Sequence, residues 1–156
     1  MLEDLAGIRK ILEREIDCFP SLGDCQVAAI AIRCALGLEI VGGHIETKLL
    51  YGLGSVKLKH LWNFDPKTQQ YVDLVCDLAF KESKAYKELG KETILIFPKD
   101  SEKYKNLYVR DKSTFSSFFR WLKNNPAYLE ETFDFLSKNF PSANLEKVKG
   151  ELLAPH

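Results

Sequence analysis

The stretch GDCQVAAIAIRCALG, residues 23–37, decides the fold of this chain. After Cys25 it is apolar apart from one glutamine and one arginine. A helix that is apolar nearly all round belongs in the interior of a domain, so the pattern predicts a buried helix over residues 24–38. Asp24 is predicted to cap its N-terminus, which would place Cys25 in the first turn.

A small antiparallel sheet is predicted after this helix. Residues 57–64 alternate in polarity, Asp65-Pro66-Lys67-Thr68 has turn chemistry, and residues 71–75 form the returning strand of a β-hairpin. Residues 39–41 predict a shorter strand that ends in a turn at Gly42-Gly43. His44 is then expected to be an exposed turn residue.

Along the chain, helices are predicted both before and after this sheet. Apolar residues with helical spacing run over residues 2–17, and the Lys-rich residues 99–112 are expected to form a solvated loop. The other predicted elements are a helix over 81–89, a strand over 93–97, a helix capped by Ser113, a helix opened by Pro126 and a weaker helix after Pro141.

This order of elements predicts an α+β fold in one domain, residues 1–156. Its parts would be an N-terminal helix (1–19), a core (20–97) and a mainly helical C-terminal part (98–156).

Charge and composition exclude several classes of protein. Lys+Arg and Asp+Glu both number 22, so the basic footprint of a nucleic-acid-binding protein is missing. No apolar run is long enough for a membrane span, and the start Met-Leu-Glu-Asp does not resemble a secretory signal. The four cysteines match no disulfide framework, so we expect free thiols in a cytoplasmic protein.

Three polar residues stand at positions suited to thiol chemistry. Cys25 is predicted at a helix start, His60 on the first hairpin strand and Asp73 on the second. A helix N-terminus favours a thiolate, a nearby imidazole takes the thiol proton, and a carboxylate fixes the tautomer of that imidazole. If the hairpin register pairs His60 with Asp73, they would be neighbours on the side that receives the helix.

Four segments in this order resemble the core of the transglutaminase-like and papain-like superfamily of cysteine hydrolases. They are Gly23-Asp24-Cys25-Gln26-Val27-Ala28-Ala29, Leu36-Gly37-Leu38-Glu39-Ile40-Val41-Gly42-Gly43, His60-Leu61-Trp62-Asn63 and Tyr71-Val72-Asp73-Leu74. The spacing is also similar to that of small bacterial proteins of the YunG type. The resemblance covers roughly residues 20–80.

The resemblance implies a Cys-bearing helix against a small antiparallel sheet, and a thiol-dependent hydrolase or acyl transferase that acts on an amide or ester bond. Cys25 would attack, His60 would act as base and then as acid, and Asp73 would orient His60. The Cys25 backbone N–H would stabilise the oxyanion. No cofactor or metal is implied, and the substrate would be a peptide, a protein or a small amide or ester. Further candidates for the oxyanion site or the cleft are Gln26, Trp62, Asp24 and His44.

Other functions remain open at this point. Peptidase, deamidase, transglutaminase and acetyltransferase chemistry share the same three residues. A catalytically inactive fold that binds a protein through its helical C-terminal part is the main alternative. Two further alternatives have less support. One is a redox sensor that pairs Cys25 with Cys18. The other is a zinc site from Cys25, His44, His60 and Asp73, although no two of these residues have the short spacing typical of structural zinc sites.

Overall fold

The computed structural model of the chain describes residues 1–21, 23–48, 54–77 and 92–155. The helices in this part are α1 (Leu2–Glu15), α2 (Asp24–Leu36), α3 (Lys112–Lys123), α4 (Pro126–Asn139) and α5 (Leu145–Leu153). The strands are β1 (Glu39–Lys48), β2 (Ser55–Asp65), β3 (Gln70–Asp73), β4 (Leu95–Pro98) and β5 (Tyr108–Arg110).

The five strands form one sheet in the order β4-β3-β2-β1-β5. Each described strand pair is antiparallel. The predicted hairpin is confirmed as β2 and β3, and the Asp65 carboxylate organises its turn by accepting hydrogen bonds from the Lys67 backbone N–H and the Thr68 hydroxyl. Helices and an antiparallel sheet together confirm the predicted α+β class.

The helices and the aromatic side chains lie on opposite faces of the sheet. Leu61 and Val72 face the helices and share one core with α1 and α2. Asn63 reinforces this contact, because its side-chain amide donates to the Ala29 carbonyl of α2 at 3.0 Å. On the other face lies what we call the aromatic cluster, made of Trp62, Tyr71, Phe97, Tyr104 and Tyr108 with the aliphatic side chains around them.

Gly42 and Gly43 lie inside β1, so the predicted turn at this point is wrong. A Cβ atom on Gly42 would stand 2.5 Å from the backbone nitrogen of Phe115 in α3. One on Gly43 would collide with the Val109 carbonyl oxygen and stand 2.7 Å from the Trp62 ring. The glycines are therefore needed because neighbouring groups approach the strand too closely for any side chain.

Replacing Gly43 by alanine is expected to destabilise the protein by about 3 kcal/mol, at the upper end of overpacking costs, because the atom in the way is backbone. Chemical denaturation would measure the loss. Gly7→Ala is the matched control: it lies within α1 with nothing within 4 Å of the added Cβ. Better helix propensity should stabilise it by about 0.5–1 kcal/mol. Equal effects of the two substitutions would contradict this account of β1.

The wrongly predicted turn at Gly42-Gly43 also explains the wrong prediction for His44. It is a partly buried residue of β1, paired with Lys59 on one side and Val109 on the other, so the exposed turn position predicted for it is wrong. Alternation alone could not reveal this, because two consecutive glycines read as a turn when the close neighbours are unknown.

Several later elements also differ from expectation. The stretch 99–112 is not simply a solvated loop, because it contains β5 and contributes Tyr104 and Tyr108 to the aromatic cluster. Asp111, rather than Ser113, caps α3, with its carboxylate accepting from the Ser113 backbone N–H at 2.9 Å. The strand predicted over 93–97 is β4, Pro126 does open a helix, and the helix predicted over 81–89 lies outside the described residues.

In the part of the chain that is described, no helix has both the length and the apolar character needed to cross a membrane.

Candidate active site

Cys25 lies in the first turn of the buried helix α2, as predicted, but Asp24 does not cap that helix. The cap position is Gly23, whose φ of 95° lies in the left-handed region that glycine tolerates best. Asp24 opens the helix, and its Oδ2 accepts hydrogen bonds from the Ser21 backbone N–H at 2.6 Å and the Ser21 hydroxyl at 2.9 Å. The carboxylate thus fixes the turn that presents Cys25.

His60 and Asp73 form a buried pair across the hairpin. The distance from His60 Nε2 to Asp73 Oδ2 is 2.8 Å, and the side chains are 3% and 1% exposed. An ionised carboxylate only accepts hydrogen bonds, so Nε2 carries a proton and donates it to Asp73. Asp73 therefore fixes the tautomer of His60, which is the role that the sequence predicted for it.

The Cys25 side chain lies beside His60, because its hydrogen bonding and its charge are among the causes that raise the pKa of the imidazole. Since Nε2 is committed to Asp73, Nδ1 is the ring nitrogen left for the thiol. The structure thus brings together all three predicted residues, from α2, β2 and β3, in the order thiol, imidazole, carboxylate.

Tyr108 is a member of this site that sequence reasoning missed. Its hydroxyl donates to Asp73 Oδ2 at 2.7 Å, and the Val75 backbone N–H donates to Asp73 Oδ1 at 2.9 Å. With His60, the carboxylate accepts three hydrogen bonds. The weak alternation of Tyr108-Val109-Arg110 within a Lys-rich stretch was the available signal, and the charged surroundings obscured it.

These contacts keep the imidazole protonated and the carboxylate ionised. Burial alone would lower the pKa of His60, but the charge and hydrogen bond of Asp73, helped by Cys25, raise it to about 10. Burial alone would raise the pKa of Asp73, and His60, Tyr108 and the Val75 N–H hold it below its usual value. The pKa of Tyr108 is raised by burial and by Asp73, so it remains a donor.

His60 does not lie on the face expected for it. It shares a face with Trp62, whose ring centroid is 6.1 Å from its own, and hence with the aromatic cluster. The body of α2 packs on the opposite face, against Leu61 and Asn63. The pairs of β2 with β3 run from Asp65 to Asn63, so His60 lies beyond the paired stretch, where the first turn of α2 reaches it.

The segment that follows Asp73 is anchored by Arg9 of α1. This arginine is 6% exposed, and its guanidinium donates to the Leu74 carbonyl and, through two nitrogens, to the Asp77 carboxylate at 2.9 and 2.8 Å. It also pairs with Glu13 at 2.6 Å. The sequence hid this role, because an arginine next to a helical stripe normally faces solvent.

Arg9→Met is expected to lower the free energy of unfolding by about 3 kcal/mol, because it leaves a buried carbonyl and a largely buried carboxylate without their donor. Arg14→Met on the same helix is the matched control. Its parent side chain is 66% exposed and pairs only with its neighbour Glu15 among the described residues, so a change within about 0.5 kcal/mol is expected. Urea denaturation would compare the two, and equal losses would contradict the anchoring role.

Two buried N–H donors at the site have no hydrogen-bond partner within the described residues. They are Nε2 of Gln26, which adjoins Cys25, and Nε1 of Trp62, which lies beside His60. A buried donor left free costs stability, and such donors are what a developing oxyanion requires. Both residues were predicted as candidates for the oxyanion site or the cleft.

Tyr128 of α4 is a second residue that the sequence did not reveal. Its hydroxyl lies 3.8 Å from the position that a Cβ of Gly23 would occupy, at the start of α2. Burial first, then the charges of Asp24, Cys25 and Glu131, raise the pKa of this partly buried phenol. Tyr128 therefore borders the start of α2, on the side of the site that carries Cys25.

The zinc site and the Cys25–Cys18 disulfide considered from the sequence are not formed among the described residues. Across the ranges that the structure describes, no group of three or more His, Cys, Asp or Glu side chains is placed to hold a metal ion. All four cysteines are free thiols: Cys18 is exposed, whereas Cys34 and Cys76 are buried with pKa values raised chiefly by burial.

A cavity of about 340 Å³ lies apart from the thiol–imidazole–carboxylate network, between β1 and the first turns of α3. Its lining residues are Ile40, Val41, Gly42, Arg110, Lys112, Phe115 and Ser116.

Comparison of the chain with protein-family models, with curated proteins and with solved structures found no match.

Proposed function

We propose that this protein is a thiol-dependent hydrolase or acyl transferase that cleaves an amide or ester bond through Cys25, His60 and Asp73. The observation that carries the proposal is the buried His60–Asp73 hydrogen bond at 2.8 Å, with the Cys25 side chain as the other group that acts on His60. We also propose the fold relationship that the sequence suggests, with the transglutaminase-like and papain-like superfamily. The order Cys, His, Asp on a helix start and two adjacent strands supports it.

The chemistry begins from an ion pair of the Cys25 thiolate and the protonated His60. The thiolate attacks the carbonyl carbon of the substrate, forming a C–S bond and an oxyanion. The Cys25 backbone N–H is the proposed donor to this oxyanion, and Nε2 of Gln26, the next residue, is a second candidate because it is buried without a hydrogen-bond partner in the described residues. As the intermediate collapses, His60 returns the proton to the leaving nitrogen or oxygen, and a thioester remains on Cys25.

The second half releases the acyl group. Water, or another nucleophile in an acyl transferase, loses a proton to His60 Nδ1 and attacks the thioester carbon. The C–S bond then breaks, which restores the ion pair of the Cys25 thiolate and the protonated His60. Asp73 remains ionised throughout, because its three donors stabilise the charged carboxylate.

The direct test is formation of an acyl-enzyme with p-nitrophenyl acetate in a Cys18→Ala background, which removes the exposed thiol. We expect p-nitrophenol release and an acetyl group on Cys25 by mass spectrometry. Both should fall by at least about 100-fold in Cys25→Ala and in His60→Ala. Cys34→Ala, another buried thiol of α2, is the matched control and should leave the rate unchanged. Equal release by Cys25→Ala would contradict the proposal.

One observation favours the alternative, an inactive fold that binds a protein partner. The three residues are 4%, 3% and 1% exposed, and a buried hydrogen-bonded network of this kind also serves to hold a fold together. In that case Cys25 would not be acylated in the folded protein, and replacing His60 would change stability alone. The helices α3, α4 and α5 would then be the first surface to test for a partner.

A further inference from the structure

An aromatic pair made of an exposed and a partly buried ring lies next to the start of α2. Trp121, near the end of α3, is 49% exposed, and its ring meets that of Tyr128 edge to face with centroids 5.0 Å apart. The Tyr128 hydroxyl in turn lies beside Gly23, two residues before Cys25. The two rings therefore make a continuous aromatic surface that leads from solvent to the start of α2.

Two acidic residues lie close to Tyr128 in this surface. Asp24 adjoins Cys25, and Glu131 lies three residues after Tyr128, on the same side of α4. Both carboxylates act on the Tyr128 hydroxyl, as the raised pKa of that phenol shows after the effect of burial. The two basic neighbours of Trp121, Arg120 and Lys123, line a separate cavity beside the end of α5.

We propose that Trp121, Tyr128, Asp24 and Glu131 form a subsite that holds a fixed positive charge of the substrate, such as a quaternary ammonium or guanidinium group. The faces of Trp and Tyr rings attract cations, and the attraction adds to that of nearby carboxylates. The subsite recognises the substrate and takes no part in bond cleavage. It rests on the proposed function, because it assigns a substrate class to the same thiol.

The position of the subsite sets the length of the substrate that fits. Because Tyr128 borders the residue two before Cys25, the cation belongs a few bonds from the carbonyl carbon that the thiol attacks. An anion of the same length would face Asp24 and Glu131 and be repelled.

The test uses three methanethiosulfonate reagents that differ in charge: methyl (neutral), trimethylammonioethyl (cationic) and sulfonatoethyl (anionic). Each converts a thiolate to a mixed disulfide and releases methanesulfinate, so rates at Cys25 and Cys18 can be followed separately by peptide mass spectrometry. We expect the cationic reagent to modify Cys25 about tenfold faster than the anionic one at low salt, and we call this quotient of rates the charge ratio. The ratio should fall to about threefold or less in Glu131→Gln and in Trp121→Leu.

The controls separate this subsite from general charge effects. Glu130→Gln removes the same charge from the adjacent exposed position and should leave the Cys25 ratio unchanged, and Trp121→Phe should retain most of it. The Cys18 ratio should be the same in all variants. Identical Cys25 ratios in wild type, Glu131→Gln and Trp121→Leu would overturn the subsite and leave the proposed function standing. Failure of all three reagents to modify Cys25 in the folded protein would overturn both.

Discussion

Iodoacetamide should alkylate Cys25 rapidly at pH 6, and His60→Ala should slow that reaction by about 100-fold. An ordinary thiol with a pKa near 8.5 is only about 0.3% thiolate at pH 6. His60, whose pKa is raised to about 10 by Asp73 against the effect of burial, stays protonated at that pH and can hold the thiolate as an ion pair. Removing the imidazole returns Cys25 to the behaviour of an unassisted thiol.

The other cysteines supply internal references for this measurement. Burial raises the pKa values of Cys34 and Cys76, so both should remain unmodified from pH 5 to 9. Cys18 is exposed and serves as the accessible reference thiol. A Cys25 profile that matches that of Cys18, or one that His60→Ala leaves unchanged, would show that the network does not activate the thiol.

Asp73→Asn should lower the free energy of unfolding at pH 6 by about 3–5 kcal/mol, the cost of breaking a buried ion pair. The amide keeps the size of the side chain but loses the charge that holds His60 protonated, and one of its two polar atoms can no longer accept a hydrogen bond. Tyr108→Phe is the graded comparison: it removes one donor to the same carboxylate, and a loss of about 1.5–3 kcal/mol is expected.

The pH dependence of stability should carry the signature of this pair. His60 has a folded pKa of about 10, above its ordinary 6.5, so its contribution is complete below pH 6.5 and is lost as the pH rises through about 10. Asp73 has a lowered folded pKa, so its contribution is present above the ordinary value of 3.8 and is lost as the pH falls through the folded value.

Denaturant titrations at pH 3, 5, 7 and 9 would test both signs. The wild type should be most stable between about pH 4 and 6.5, where both contributions are complete. In Asp73→Asn, the free energy of unfolding should change much less with pH across the same range. A wild-type curve that rises steadily from pH 6 to 9 would have the wrong sign and would contradict the charged pair.

The parts of the fold and site that could be predicted are those with a local or periodic signal. The apolar run of α2 marks a buried helix, the alternation around His60 and Asp73 marks a hairpin, and Pro126 marks the start of α4. Strand parity indicates which side chains of one strand share a face, but the sequence predicted the His60–Asp73 pair only on condition of a hairpin register that it does not itself fix.

What the sequence could not show depends on contacts between distant segments. Tyr108 reaches Asp73 from 35 residues away, and Arg9 reaches Asp77 from 68 residues away. Tyr128 joins the site because its hydroxyl lies beside Gly23 at the start of α2, a contact that no local pattern records. The sequence also predicted the wrong sheet face for His60, because only contacts between distant segments decide which face packs against α2 and which carries the aromatic cluster.

The two glycines of β1 meet a different kind of requirement from that met by the residues of the candidate site. At Gly42 and Gly43 the architecture requires that atoms be absent, because α3, β5 and the Trp62 ring meet the strand backbone there. At Cys25, His60 and Asp73 the proposed chemistry requires particular atoms to be present. A search for distant relatives can use this difference: paired glycines at this point of β1 would mark descent of the architecture, even in chains whose reactive side chains have been replaced.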